Sequence, residues 1–109
     1  MAHFDTCGNH GFHICFENGY TVSVQFGPGN YCEQYDASFD APKSQYFWES
    51  KDAEVAVMYK GEFVTSQLLD EIKELGEYSD GQVISCVAPN EVAKIIAVIS
   101  AWPKQSEEE

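Results

Sequence analysis

The chain has 109 residues, of which 44% are apolar, and 6 lysines stand against 18 acidic residues, so the formal net charge is -12. This length supports one modest hydrophobic core and is too short for two, so we expect a single domain over residues 1–109. The acidic balance and the lack of arginine argue against nucleic-acid binding, which relies on cationic clusters that neutralise phosphates. Such a charge suits a protein partner with a basic surface.

No targeting or membrane-spanning segment is evident. Residues 1–10 are a polar lead-in, and no segment approaches the roughly twenty apolar residues of a membrane span. The 4 cysteines of a chain with a substantial apolar content do not suggest a disulfide framework, so we take them as reduced thiols. These features predict a cytoplasmic protein that contacts no membrane.

The strongest pattern lies in residues 11–32. Apolar and polar residues alternate on both sides of an Asn-Gly pair, with the period of two that is typical of half-buried strands. A three-residue loop over residues 17–19 pairs Phe16 with Tyr20 and places both apolar rows on one face, whereas a two-residue loop would separate them. Burial therefore favours the longer loop, with Gly19 in the left-handed conformation.

A glycine-rich exit and a long loop follow this hairpin. Residues 27–30 predict a sharp turn, with an anion-binding nest of backbone N–H groups as the alternative. Residues 33–53 are rich in aromatic rings, and a loop of this length usually carries a function or wraps over the core. We expect Phe47 and Trp48 to cover the core, whereas Tyr35 could as well be an interface anchor.

The second half of the chain contains a further hairpin and a helix. Residues 54–59 and 62–64 predict two strands joined at Lys60-Gly61, and the first of them is expected to be central because both of its rows are apolar. Ser66 is expected to cap a helix that runs to about Leu75 and stops at Gly76.

The last elements are a strand and an apolar helix. Residues 83–87 predict a buried strand that contains Cys86, and a helix then runs from Pro89 to Trp102. This helix is apolar on more than one face, so it is either covered within the monomer or forms a homodimer through residues 89–102. Residues 104–109 are an acidic tail.

This order of elements predicts an α+β domain. We expect an antiparallel sheet of about five strands with two helices packed on one face, in the order β-β-β-β-α-β-α.

Histidine and cysteine concentrate around the first hairpin. The side chains of zinc-ligand type there are Cys7, His10, His13, Cys15 and Cys32. They lack the short-spaced pairs of common structural sites, so we expect no metal and no other cofactor. Their neighbours are acidic and include no lysine, which disfavours a reactive thiolate. Catalysis is not expected either, since no familiar catalytic or nucleotide-binding motif occurs.

The segment GFHICFENGYTVSVQFGPGNYC, with an AEVAV strand, a GEFV turn and the stretch VISCVAPNEVAKII, resembles a family of small uncharacterised proteins encoded by bacteriophages and mobile elements. The resemblance covers most of the chain, and the hairpin is its most specific part. It brings no activity or site residue. It implies an accessory protein in the cytoplasm of a bacterial host, where small acidic proteins often resemble inhibitors of host defence.

The sequence therefore predicts a non-enzymatic binding module that blocks a host protein, such as a CRISPR or other defence component. The polar row of the first hairpin is too small and polar to serve the core, so we expect it to bind the partner together with the residues that follow it. The predicted surface comprises His13, Cys15, Ser23, Gln25, Asn30, Tyr31 and Tyr35. The alternatives are a small metal- or thiol-dependent enzyme centred on His13 and Cys15, and a structural phage protein.

Overall fold

The computed structural model describes residues 2–7, 10–26 and 49–104. The strands of this part of the chain are β1 (His3–Thr6), β2 (Gly11–Cys15), β3 (Tyr20–Gln25), β4 (Ala53–Tyr59), β5 (Glu62–Phe63) and β6 (Ile84–Val87). The α-helices are α1 (Thr65–Glu71) and α2 (Pro89–Ser100), and a 3₁₀ helix spans Lys73–Tyr78 between α1 and β6. The order is β-β-β-β-β-α-β-α, which confirms the predicted α+β class with one strand more than expected.

All strand pairings in this sheet are antiparallel. The strands lie in the order β1-β2-β3-β4, and β5 and β6 share the far edge of β4. β6 pairs with the beginning of β4, at Ala53 and Val55, whereas β5 pairs with its end, at Met58 and Tyr59. β4 is therefore central, as predicted.

The side chain of Thr65 bridges the space between β5 and β6. The Val57 backbone N–H donates to Thr65 Oγ1 at 3.0 Å, and the Thr65 hydroxyl donates to the Gln82 carbonyl at 2.7 Å. Thr65 is fully buried. Its hydroxyl thus accepts from the Val57 N–H, at the point of β4 that lies between the segments paired with β5 and β6. Buried backbone groups require such partners.

The hairpin of β2 and β3 has the predicted three-residue loop. Phe12 pairs with Val24, and the Phe16 N–H donates to the Tyr20 carbonyl at 2.9 Å. Gly19 has a φ of +93°, in the region that glycine adopts without steric cost. The register that buries both apolar rows on one face is therefore confirmed.

The lead-in predicted for residues 1–10 is wrong over His3–Thr6, which form the edge strand β1. β1 pairs in register with β2, so that His3 lies opposite Cys15 and Asp5 opposite His13. All four residues of β1 are exposed. Backbone pairing holds the strand without apolar burial, and burial is the signal that hydrophobic patterning detects.

The helix predicted from Ser66 to about Leu75 is shorter than expected. α1 ends at Glu71, and its N-cap residue Val64 makes no side-chain hydrogen bond. Gly76 lies within the 3₁₀ helix and does not end α1. Leu75 is nevertheless buried, because the 3₁₀ helix keeps this side chain against the core.

The predicted last strand forms over Ile84–Val87, but Cys86 is exposed where burial was expected. The pairing of β6 with β4 shifts register between Ala53 and Val55. Cys86 has a φ of +56°, which marks a β-bulge. The bulge breaks the alternation that would have turned this thiol toward the core.

The core lies between one face of the sheet and the two helices. The strand residues in it include Val22, Val24, Val55 and Val57, and the helical residues include Leu68, Ile95 and Ile99. The valines share one side of their strands, so both helices pack on the same face, as predicted.

None of the helices described here has the length and apolar character needed to cross a membrane. Ala93 and Ala97 of α2 are exposed, and a homodimer through this helix stays a prediction.

The loop of the first hairpin holds the end of α2. Asn18 Nδ2 donates to the carbonyls of Ile99 at 2.8 Å and Trp102 at 2.9 Å, and Asn18 Oδ1 accepts from the Tyr20 N–H at 3.0 Å. Trp102 Nε1 in turn donates to the Glu71 carboxylate at 2.7 Å. The last carbonyls of a helix have few backbone partners; the Ile99 carbonyl also accepts from the Trp102 N–H at 3.1 Å, and the buried Asn18 amide adds hydrogen bonds that tie the hairpin loop to the end of α2.

Candidate functional site

The face of the sheet opposite the helices, which we call the polar face, carries the polar row of the first hairpin. Alternate residues of a strand point to opposite sides of the sheet. The residues on this face that pair across neighbouring strands therefore form two rows. The first row contains His3, Cys15, Thr21, Met58 and Phe63. The second row contains Asp5, His13, Ser23 and Ala56. Gln25 and Glu54 pair with each other beyond the second row.

A pocket of about 270 Å³ lies in this face. Its floor is formed by Ser23 and Ala56, each only 5% exposed. The larger side chains that line it are His13, Gln25, Glu54, Met58, Phe63 and Val83. Ligand pockets usually measure roughly 300 to 1,000 Å³, so this one is suited to a single side chain or a similarly small group.

The two sides of the pocket differ in chemistry. Gln25 Nε2 donates to Ser23 Oγ at 3.0 Å, and Glu54, opposite Gln25 in the strand register, also lines the pocket. The other side is apolar, with Met58 and with Phe63, whose side chain is 49% exposed. A lysine or arginine side chain matches this arrangement, since its stem contacts apolar groups while its cation reaches a carboxylate.

The structure brings together three residues of the predicted binding surface. His13, Ser23 and Gln25 line the pocket, and Cys15 lies on the same face in the first row. The other predicted members, Asn30, Tyr31 and Tyr35, lie outside the described residues.

Sequence reasoning missed the other half of the pocket, which consists of Glu54, Ala56, Met58, Phe63 and Val83. Alternation within β4 does show that Glu54, Ala56 and Met58 share one row. Which strand lies beside that row depends on how the chain returns between Gln25 and Ala53. A connection of that length does not determine strand order or register.

The thiols of this region differ in their surroundings. Burial raises the pKa of the Cys7 thiol, and the nearby Asp5 carboxylate raises it further. The thiolate is the reactive form of cysteine, so Cys7 is poorly suited to nucleophilic catalysis. Cys15 Sγ accepts a hydrogen bond from the Thr21 hydroxyl at 3.3 Å.

Among the described residues, one group of metal-ligand side chains comes together on the polar face: His3, Asp5 and Cys15. Their ligand atoms all lie within 4.8 Å of one another. Of the candidates proposed from the sequence, this group includes only Cys15. Cys7, His10 and His13 are not members, and Cys32 lies outside the described residues.

A larger pocket of about 690 Å³ lies on the helix side of the sheet. Its apolar lining includes Phe12, Val24 and Val92. Phe26 and Glu49, which flank the segment outside the described residues, also line it. We therefore assign no ligand to this pocket.

Comparisons with family models, with curated proteins and with solved structures find no match to this chain. The resemblance to phage-encoded proteins consequently stays a prediction. The basis for a functional proposal is the geometry of the polar face and its charge.

Proposed function

We propose that this protein is a non-enzymatic binding module whose polar face receives a basic side chain of a partner protein. The pocket of about 270 Å³ carries this proposal. It joins hydrogen-bonding groups, among them Ser23 and Gln25, to the Glu54 carboxylate and the Phe63 ring. This combination can hold both the cation and the hydrocarbon stem of a lysine or arginine.

The charge of the chain supports a basic partner. The net charge is -12, and the six described strands contain Asp5, Glu54 and Glu62 but no lysine. A field of one sign attracts oppositely charged proteins from a distance and raises their association rate. A partner with a basic surface is therefore attracted to the protein before close contacts form, and no lysine of the described strands repels it from the sheet.

Phe63 supplies an apolar anchor beside the charged part of the pocket. Its side chain is 49% exposed at the edge of the polar face. Aromatic residues surrounded by polar groups carry much of the binding energy of protein interfaces. We place the centre of the interface between Phe63 and Ser23.

The biological role that we propose follows from the phage and mobile-element resemblance. The partner is a host protein, such as a CRISPR or other defence component, and binding blocks it. Such an inhibitor needs a stable contact and no reacting group. A metal- or thiol-dependent enzyme would instead turn over a substrate.

The experiment begins with capture of partners from bacterial host lysate and continues with the purified partner in calorimetric titrations. Phe63→Ala should weaken binding by about 1 to 3 kcal/mol, as loss of an interface anchor does. Glu54→Gln should slow association and reduce its salt dependence. The matched controls are Phe4→Ala, at a residue that is 76% exposed on the other face, and Glu62→Gln in β5. Both should bind like the wild type.

A direct probe of the pocket is the chemical-shift response to N-acetyl-lysine amide at millimolar concentration. Shifts should concentrate at Ser23, Gln25 and Ala56 and disappear in Glu54→Gln. Partner affinity that is equal in Phe63→Ala and Phe4→Ala, with no shifts at the pocket, would contradict this site.

A further inference from the structure

We propose that His3, Asp5 and Cys15 form a binding site for a divalent metal ion on the polar face, and that Zn²⁺ is the ion that this ligand set favours. β1 supplies His3 and Asp5, which are two residues apart and so point to the same side. β2 supplies Cys15, directly opposite His3 in the register. This inference does not rest on the proposed function, because it requires no partner.

The geometry of the group matches a metal site. His3 Nε2 and Asp5 Oδ2 share a hydrogen bond at 3.2 Å, which a bound metal ion would replace. Zinc bonds of roughly 2.0 to 2.1 Å in a tetrahedral arrangement place a nitrogen and an oxygen ligand about 3.3 Å apart, so this pair already has the required separation. The Cys15 sulfur lies within 4.8 Å of a ring nitrogen of His3 and of a carboxylate oxygen of Asp5, whereas zinc would hold it at about 3.6 Å. A small side-chain rotation closes that difference.

The ligand chemistry selects among metals. A thiolate favours soft or borderline ions, and an imidazole suits zinc, copper, iron and nickel. A carboxylate beside them is common in zinc sites and does not exclude the others. Three protein ligands leave a fourth position of a tetrahedral ion open to water or to another molecule.

The hydrogen bond to Cys15 is an independent observation that points the same way. The Thr21 hydroxyl donates to the Cys15 sulfur at 3.3 Å. Partners of this kind orient a ligand and stabilise its charged form, and their loss typically weakens metal binding about 10- to 100-fold. Thr21 comes from β3, so three adjacent strands contribute to the site.

Ligand spacing along the chain predicts no zinc site, but that expectation considers only residues from Cys7 onward. β1 brings two further ligands from a segment that the pattern assigns to a polar lead-in. The sheet register, and not a short-spaced pair, assembles the group.

The site also lies at an exposed edge, with side chains of His3 and Asp5 that are 52% and 56% exposed. Its metal is therefore not required for the core to form.

The test uses the full chain without an affinity tag, titrated with Co²⁺ as a spectroscopic probe and then with Zn²⁺ as a competitor. We expect about one equivalent to bind, with a thiolate-to-cobalt charge-transfer absorption that zinc displaces. Cys15→Ser should abolish this absorption, and His3→Ala or Asp5→Asn should weaken binding at least about tenfold. Circular dichroism should show that each variant folds, because these side chains lie outside the core.

Three further variants test the hydrogen bond from Thr21 and the identity of the thiol ligand. Thr21→Val retains side-chain shape and should weaken cobalt binding about tenfold. Cys86→Ser, at the exposed thiol of the β6 bulge, and Cys7→Ser should keep the absorption. The proposal is overturned if no cobalt binds, if the absorption persists in Cys15→Ser, or if Cys7→Ser removes it. None of these outcomes bears on partner binding by the pocket, which has its own variants.

Discussion

The two faces of the sheet use the same strands for different purposes. On the helix side, Val22, Val55 and Val57 are fully buried. On the polar face, the buried residues are small, Ser23 and Ala56, and the side chains around them leave a pocket. Alternation along a strand lets one row hold the core while the other row stays available for ligands. Substitutions should accordingly change stability on the helix side and binding on the polar face.

The largest expected effect on stability is that of Trp102→Ala. The Trp102 side chain is 8% exposed, packs edge-on against Tyr20 at a centroid distance of 4.9 Å and donates to Glu71. Its removal leaves a cavity between α2, α1 and β3, which should lower the free energy of unfolding by about 3 to 5 kcal/mol. Urea denaturation measures this change.

Two controls sharpen this prediction. Trp102→Phe keeps an aromatic ring in place and should lose less than the alanine variant. Phe4→Ala removes a ring that is 76% exposed and should change stability by about 0.5 kcal/mol at most. Similar losses in Trp102→Ala and Phe4→Ala would show that burial of the ring does not explain the contribution of Trp102 to stability.

Asn18→Ala should have the next largest effect. The substitution leaves the carbonyls of Ile99 and Trp102 and the N–H of Tyr20 without their side-chain partner. The Ile99 carbonyl keeps its hydrogen bond from the Trp102 N–H, but loss of the buried Asn18 bonds should still cost about 1 to 3 kcal/mol, which thermal or urea unfolding will show. Glu17→Ala, at the exposed neighbouring position, serves as the control.

Asn18→Asp distinguishes hydrogen bonding from side-chain volume in this loop. A carboxylate has nearly the same shape but cannot donate to the two carbonyls, and its charge lies at the unfavourable end of the helix dipole. The aspartate variant should be at least as unstable as the alanine variant at neutral pH. Wild-type stability of Asn18→Asp would show that these hydrogen bonds contribute little.

Phe63→Ala should change stability far less than it changes partner binding. The Phe63 side chain is 49% exposed, so its truncation should lower the free energy of unfolding by less than about 1 kcal/mol. Leu68→Ala, at a fully buried residue of α1, should lower it by about 2 to 5 kcal/mol. Equal losses in these two variants would mean that Phe63 belongs to the core.

The smallest expected effect concerns the reactivity of Cys7, which follows β1. Burial and the Asp5 carboxylate raise the pKa of Cys7, so less thiolate is present at a given pH than for an ordinary cysteine. Alkylation by iodoacetamide at pH 8 should therefore be slower at Cys7 than at the exposed Cys86, and should speed up as the pH rises. Quantitative mass spectrometry of the labelled peptides measures both rates.

Asp5→Asn tests one of the two causes. It removes the neighbouring negative charge and should lower the Cys7 pKa part of the way, which accelerates alkylation of Cys7 but not of Cys86. Wild-type reactivity at Cys7 that equals the rate at Cys86 would show that burial and Asp5 do not protect this thiol.

The sequence determined the elements that are held by apolar burial. The register of the first hairpin follows from the requirement that Phe12, Phe16 and Tyr20 share a face, and α2 follows from apolar spacing between two prolines. The central position of β4 follows from its two apolar rows. Local pattern suffices in these cases, because one row or stripe must face the core whatever its neighbours are.

Only the tertiary structure decided the features that depend on neighbours distant in sequence. β1 buries no side chain, and the bulge at Cys86 arises from pairing with β4, so hydrophobic periodicity reports neither. The candidate pocket was half predicted, since His13, Ser23 and Gln25 belong to one hairpin while Glu54 and Phe63 arrive through strand order. The His3, Asp5 and Cys15 group likewise exists because backbone pairing brings β1 beside β2. Backbone hydrogen bonds depend little on side-chain identity, so the pattern of side chains does not reveal this pairing.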